Sequence, residues 1–295
     1  MKQVKIITPI VTVFDDNQKL DVQGNTHMIE HLIANGVDGI LALGSTGEFA
    51  YLTLEEKKAA IDLYCKVVNK RVTLFVGTGT MDAAETIELS NYAIQQGADG
   101  VCVVPPYYYG LSDNVIELYF DKIASEIKGN IWIYNYPDRT SNTLEPSVLL
   151  KLLAKHPNIV GYKDTVNNSQ HTREIICAVR DLYPDFAVYS GFDSHFLDNV
   201  SIGGAGCIGA LSNLYPEVWS GLVKAYNTKD FDKVNALYNK LLPLMEIYGY
   251  RRNFPPIMKR ALNLLGHSIN ETCRFPEIEA NEEETRKLKT LLGLQ

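Results

Sequence analysis

Short apolar runs alternate with longer stretches in which apolar positions recur every three or four residues, almost throughout the chain. The short runs begin near Ile6, Gly39, Thr73, Gly100, Ile131, Ile159, Ala187 and Ala205 and read as buried strands. The longer stretches, near residues 22–35, 53–69, 83–96, 113–127, 146–156, 169–182, 193–202 and 216–227, read as amphipathic helices. Thr53 with Glu56 three residues later is a capping box, and Pro146 suits a first helical turn. One local unit recurs: Gly36-Val37-Asp38-Gly39 leads into one apolar run, Gly97-Ala98-Asp99-Gly100 into another, and Gly203-Gly204-Ala205-Gly206 is a looser echo. The first glycine suits a left-handed helix end, and a buried parallel strand follows. Eight such βα units predict an α/β protein, a closed (β/α)8 TIM barrel, with an open doubly wound sheet as the alternative.

After Asn227 the alternation stops, and residues 230–246, 255–265 and 282–292 all read as helices. The expected organisation is a barrel over 1–227 and a C-terminal three-helix extension over 228–295 packed on it, with no Gly, Ser or Pro linker between them.

Composition narrows the function. The chain is 295 residues long, 46% hydrophobic and 21% charged, with a formal net charge of −7. No overall basic field is available to hold nucleic acid. The basic clusters Arg251-Arg252 and Lys259-Arg260 read as solvated or interface faces. The five cysteines, Cys65, Cys102, Cys177, Cys207 and Cys273, are scattered, odd in number and without a Cys-x-x-Cys pair. That favours a reducing cytoplasm. The N-terminus shows no apolar signal core, and no segment is long enough to span a bilayer.

In a barrel the chemistry sits at the carboxyl ends of the strands. Those ends carry Gly44-Ser45-Thr46-Gly47-Glu48, Pro105-Pro106-Tyr107-Tyr108-Tyr109, Tyr134-Asn135 followed by Tyr136-Pro137-Asp138-Arg139-Thr140, Lys163, and Ser190-Gly191-Phe192-Asp193. Hydroxyls, phenols, a guanidinium and an amine are therefore expected to face one cavity. A solvated lysine is a poor nucleophile at neutral pH, whereas one in a dry pocket is biased towards the free amine that attacks a carbonyl. The set suits a Schiff-base enzyme acting on a 2-oxo acid. Lys163 attacks the ketone, Ser45, Thr46 and nearby backbone N–H groups take the carboxylate, and Tyr134 shuttles the proton. Arg139 holds a second carboxylate bidentately. No metal or redox cofactor is needed, because the protonated imine is itself the electron sink.

Each feature has a plainer reading. Gly44–Glu48 can be a tight turn, Gly203–Gly206 close packing, Tyr107–Tyr109 an aromatic or oligomer contact, Arg139 a surface partner of Asp138 or Glu145, and Lys163 a snorkelling strand end. Taken singly these readings hold; their coincidence at one barrel end favours the catalytic one. His27-Met28-Ile29-Glu30-His31 matches the zinc-peptidase pattern His-x-x-Glu-His. It lies in the first outer helix, where Met28, Ile29, Leu32 and Ile33 supply the buried stripe and the histidines are expected on the solvated flank.

The ordered motifs Gly-Ser-Thr-Gly-Glu, Pro-Pro-Tyr-Tyr, Ile-Tyr-Asn-Tyr-Pro-Asp-Arg-Thr, Gly-Tyr-Lys-Asp-Thr and Gly-Gly-Ala-Gly-Cys-Ile resemble the dihydrodipicolinate synthase/N-acetylneuraminate lyase family over essentially the whole chain. The resemblance implies a pyruvate imine on Lys163 and Tyr134 as proton relay. Ser45 and Tyr108 would complete a hydroxyl triad, Tyr108 reaching across a dimer contact. It also implies Thr46 at the pyruvate carboxylate, Arg139 at the carboxylate of aspartate semialdehyde, Gly191 and Ile208 around the pyruvate, and a homotetramer built as a dimer of dimers. Ser45 stands where the synthases usually carry threonine. Asp164-Thr165 and the stretch Ser190–Asp193 look more like aldolases of 2-keto-3-deoxy sugar acids, which commonly lack an arginine at the place of Arg139. N-acetylneuraminate lyase itself lacks the Asn135 and Arg139 pairing.

The expectation is a metal-independent lyase of pyruvate that condenses it with aspartate semialdehyde, as in lysine biosynthesis. The alternative is retro-aldol cleavage, or dehydration, of a 2-keto-3-deoxy sugar acid. A third reading is a non-catalytic 2-oxo acid sensor, against which the intact Lys163, Tyr134 and Ser45 speak.

Overall fold

The computed structural model describes residues 3–294. Eight parallel strands close in chain order into a barrel: β1 (Lys5–Pro9), β2 (Gly39–Ala42), β3 (Thr73–Gly77), β4 (Gly100–Val103), β5 (Ile131–Asn135), β6 (Ile159–Asp164), β7 (Ala187–Ser190) and β8 (Gly206–Cys207). The open-sheet alternative is thereby excluded. Helices alternate with them: α1 (Val22–Ala34), α2 (Leu54–Val68), α3 (Ala83–Gln96), α4 (Asp113–Glu126), α5 (Pro137–Thr140), α6 (Pro146–Lys155), α7 (Ser169–Val179), α8 (Phe196–Ser201) and α9 (Pro216–Asn227). Three more follow, α10 (Phe231–Leu241), α11 (Pro255–Leu264) and α12 (Glu282–Leu291).

The strands are uniformly buried along their central positions, as both-sided coverage of a parallel sheet requires. Helix starts follow the capping chemistry. The Thr53 and Glu56 side chains exchange hydrogen bonds with each other's backbone N–H at the start of α2. Departures from the sequence expectation have local causes. The stretch 230–246 is α-helical only to Leu241 and continues as 3-10 turns over Leu242–Gly249. Pro243 lacks an N–H and its ring crowds the preceding turn. The one-turn α5 was not expected; Pro137 at its first position presets the helical φ.

The chain forms two compact units. One comprises Thr73–Gly209 with the N-terminal segment through Lys5, and holds β3–β8 and α3–α8. Trp132 on β5 packs within it, its ring 4.1 Å from that of Phe75 on β3. The indole occupies the space that side chains on the two flanking strands would need. A Cβ at Gly100 would stand 2.3 Å from the indole, and one at Gly161 2.0 Å from it. Gly161→Ala should therefore force Trp132 to move and destabilise the protein by ~1–3 kcal/mol, read as a lowered Tm in thermal unfolding. An unchanged Tm would mean that the indole rotates away freely. The Gly203–Gly206 stretch is close packing and a turn: a Cβ at Gly204 would meet Asn199 Oδ1 at 2.1 Å, and one at Gly206 would meet the Lys5 carbonyl oxygen at 1.9 Å.

The other unit comprises Ile6–Val72 and the chain from Ala210 onwards. Asn213 ties it together by donating to the Pro9 carbonyl at 2.9 Å and accepting from the Val11 N–H at 3.2 Å. The reading of the basic clusters as solvated or interface faces holds for the exposed Arg252 and is corrected for the other three residues. Lys259 is fully buried and pairs with Glu48 at 2.6 Å. Arg251 pairs with Glu284 and donates to the Ile278 carbonyl, both at 2.6 Å, and Arg260 lies 2.7 Å from Glu271. On α11 the spacing Pro255, Met258, Lys259, Leu262 puts the lysine on the buried face, so its charge has to be met inside.

Candidate active site

Parallel pairing sets the geometry at the end of β6. Tyr134 stands opposite Lys163 and Asn135 opposite Asp164 in the β5–β6 register. Side chains alternate along a strand, so the pairs Lys163–Tyr134 and Asp164–Asn135 lie on opposite faces of the sheet. Lys163 is only 3% exposed and its Nζ lies 4.0 Å from the centroid of the Tyr134 ring. Among the described residues no carboxylate forms an ion pair with it. Lys259, which is fully enclosed, is by contrast neutralised by Glu48 and also donates to the Thr272 carbonyl at 2.8 Å.

An aromatic row leads away from Lys163. The Tyr134 and Tyr136 rings stack at 5.9 Å and 22°, and Tyr136 meets Phe192 edge-on at 6.3 Å. Arg139, placed by α5, holds its guanidinium carbon 5.9 Å over the Tyr136 ring and hydrogen-bonds its hydroxyl. Burial and then the Tyr134 phenol push the Tyr136 hydroxyl above the ordinary tyrosine value, against the pull of Arg139 and Lys163. Asp138 instead accepts from Asn167 at 2.7 Å. Two thiols adjoin the lysine and sense its charge. Burial holds Cys102 up to about 12 and Cys207 well above its usual range, so neither is a ready nucleophile.

Gly191 and Ile208 follow β7 and β8. Gly191 donates its N–H to the Asp164 carbonyl at 2.6 Å, and a Cβ there would collide with Thr165 Oγ1 at 1.8 Å. Ile208 is fully buried and donates its N–H to the Ser190 carbonyl at 2.8 Å. Tyr108 is not enclosed: it is 75% exposed and packs edge-to-face on the equally open Tyr109 at 4.9 Å.

Ser45 and Thr46 belong to the other unit and form a 3-10 turn after β2. Thr46 is buried and Ser45 half-buried. The turn is bracketed by two non-glycine residues in the left-handed region, Leu43 at φ 53° and Glu48 at φ 58°. A buried leucine in that region costs of order 1–3 kcal/mol, strain that persists only where the surroundings enforce it. Thr12 Oγ1 supplies part of that enforcement by donating to the Gly47 carbonyl at 2.9 Å. Glu48 supplies the rest, accepting from Lys259 Nζ at 2.6 Å and from the Arg274 N–H at 2.9 Å.

The sequence analysis gave no role to Glu48, Lys259 or Tyr136. Glu48 lay inside a motif quoted for its hydroxyls, and the apolar spacing around Lys259 was the available signal of its burial. The His-x-x-Glu-His helix also differs from expectation in one respect. His27 is exposed, but His31 is half-buried, 4.2 Å ring to ring from His267. Burial, then the charges of His267 and His27, depress its pKa to about 4. Among the described residues no group of three or more His, Cys, Asp or Glu is arranged to hold a metal ion. No described helix is long and apolar enough to cross a membrane.

Comparison with known proteins agrees with this geometry. A family model described as "Dihydrodipicolinate synthetase family" matches residues 2–295. The chain is 36% identical over 287 residues to "Putative 2-dehydro-3-deoxy-D-gluconate aldolase YagE" of Escherichia coli, covering 97% of this chain and 95% of that protein. It is 35% identical over 289 residues to a 4-hydroxy-tetrahydrodipicolinate synthase of Methanoculleus marisnigri, covering 97% of both. The crystal structure of YagE from E. coli, described as a complex with pyruvate, superposes with a TM-score of 0.96, covering 98% of this chain and 97% of the other. A match along the whole chain, with a shared barrel and full-length relatives above 30% identity, places this protein among the lyases and synthases of the dihydrodipicolinate synthetase family.

Proposed function

We propose that Lys163 forms an imine with the ketone of a pyruvate-type 2-oxo acid and that the enzyme breaks or makes the carbon–carbon bond beside it. The observation that carries this reading is a buried lysine that holds no ion pair among the described residues, facing a tyrosine ring at 4.0 Å. That is the setting in which a lysine serves as a nucleophile. In the cleavage direction the amine adds to C2 and water leaves, giving the iminium. The proton of the C4 hydroxyl passes to a base, the C3–C4 pair of electrons moves into the enamine, and an aldehyde departs. Protonation at C3 and addition of water then release pyruvate and the free amine. Tyr134 is the proton relay, with Tyr108 as a further hydroxyl, and Gly191 and Ile208 shape the pyruvate site. The iminium is the electron sink, so the steps need no metal or redox cofactor.

For the substrate, retro-aldol cleavage of a 2-keto-3-deoxy sugar acid to pyruvate and an aldehyde has the better support. A relative named for that activity shares 36% identity, and Arg139 is already engaged by the Tyr136 hydroxyl. Condensation of pyruvate with aspartate semialdehyde, as in a 4-hydroxy-tetrahydrodipicolinate synthase of lysine biosynthesis, is the second reading. Arg139 itself favours it, because a guanidinium is suited to a second carboxylate. The exposed Tyr108–Tyr109 pair supports a tyrosine-mediated contact between copies, in our reading within a homotetramer, and the free, scattered cysteines suit a cytoplasmic setting. Sedimentation of wild type and Tyr108→Ala tests the assembly.

The activity is tested by borohydride trapping with pyruvate, read by intact mass and peptide mapping, beside turnover of 2-keto-3-deoxygluconate and of pyruvate with aspartate semialdehyde. A reduced adduct on Lys163 with faster sugar-acid turnover supports the first reading. An adduct without turnover of either substrate returns the sensor reading. Arg139→Ala should weaken use of the semialdehyde by ~1.5–3 kcal/mol, or about 10–150-fold, if the second reading holds. Small, equal effects on pyruvate binding and on the second substrate would make Arg139 structural.

A further inference from the structure

On the face of β6 opposite Lys163 lies a buried carboxylate that the imine mechanism does not use. Asp164 is 0% exposed, and both its oxygens are taken. Oδ1 accepts from Asn135 Nδ2 at 2.8 Å, and Oδ2 from His171 Nδ1 at 2.9 Å and Thr172 Oγ1 at 2.6 Å. The backbone of the same residue is fixed as well, its carbonyl accepting from the Gly191 N–H at 2.6 Å, while the next N–H, of Thr165, reaches the Asn135 carbonyl at 2.9 Å. Asn135 is held in turn through its Oδ1 by the Leu144 N–H at 3.1 Å. The strand end that carries the amine is thus clamped from β5, from α7 and from the turn after β7. A clamp serving stability alone needs no ionisable groups, because apolar packing fills such a site with no charge to desolvate.

We propose that Asp164, held by Asn135, His171 and Thr172, is the positioning residue that fixes the direction in which Lys163 presents its amine, and that the proton on His171 sets how firmly it does so. The inference rests on the imine reading above. Charged and titratable groups around His171 come from two elements: Asp164 and Tyr162 on β6, the Tyr162 ring lying 6.4 Å away, and Glu145 at the start of α6. Burial disfavours the charged imidazole, but the hydrogen bond and charge of Asp164, with Glu145, outweigh it, and the pKa is raised above the ordinary histidine value. The clamp is therefore complete below the ordinary imidazole range and loosens as pH rises through the raised value.

The test is the rate at which cyanoborohydride traps the pyruvyl adduct on Lys163, followed from about pH 5 to about pH 9, with thermal unfolding of each variant alongside. Asp164→Asn should slow trapping by about 10²-fold, the cost of a misplaced reacting group, with a smaller change in half-saturation by pyruvate. His171→Ala should slow trapping and remove the alkaline decline in both rate and stability. His171→Asn, whose amide nitrogen stands where Nδ1 stood, should restore the neutral-pH rate while staying flat with pH. Folded Asp164→Asn and His171→Ala proteins with the wild-type rate and pH profile would overturn the proposal. If Asp164→Asn does not fold, the two histidine variants decide it by the same readouts. A wild-type protein that gives no adduct overturns the imine reading itself, whatever the variants do.

Discussion

Lys163→Ala abolishes the trapped pyruvyl adduct and lowers turnover by on the order of 10³-fold or more, while the barrel stays folded. This is the largest catalytic effect expected of any single substitution here. On the proposed mechanism the loss is large because the amine is the covalent partner, and the residual activity of a site lacking its nucleophile comes only from binding and proton transfer. Folding survives because Lys163 holds no ion pair among the described residues, so its removal strands no buried charge. The measurement is intact mass after reduction, peptide mapping, and circular dichroism of the variant. The fully enclosed Lys259 provides an internal control. Lys259 is held by Glu48 and by the Thr272 carbonyl, and no adduct should form there. Undiminished turnover by Lys163→Ala, or an adduct mapped to Lys259, would remove the mechanism.

The largest stability effect falls on that control residue's partner. Glu48→Ala leaves the Lys259 ammonium in a site where both side chains are 0% exposed. Breaking a buried pair from one side costs ~3–5 kcal/mol, and Tm should fall by on the order of 10 °C. The Arg274 N–H loses its acceptor at the same time, and the left-handed turn that ends at Glu48 loses its anchor. The double variant Glu48→Gln with Lys259→Met should recover much of the loss, since neither charge is then buried alone. Equal Tm values for Glu48→Ala and wild type would show that the ammonium reaches water and that the pair contributes nothing.

The sequence by itself determined the barrel and the place of Lys163 at the end of a strand. Strand and helix periods are local properties, so the eight apolar runs and the helices between them could be read within three residues, including the capping box at Thr53. Lys163 and Tyr134 could be placed at strand ends because each directly follows its apolar run. Their facing each other is a matter of register, which tertiary pairing of β5 with β6 decided. Tertiary structure also decided the partners of charge. Lys259 and Glu48 are 211 residues apart in the chain, and no local pattern joins them. The same holds for Asp164, which reads as a polar strand end until Asn135, 29 residues earlier, and the first turn of α7 close on it. Left-handed backbone at Leu43 escaped the sequence for a related reason: nothing in leucine favours that conformation, and only the surrounding packing holds it there. Periodicity is written in neighbouring residues, whereas the pairing of buried charges is set by whichever distant groups the fold brings within hydrogen-bond distance.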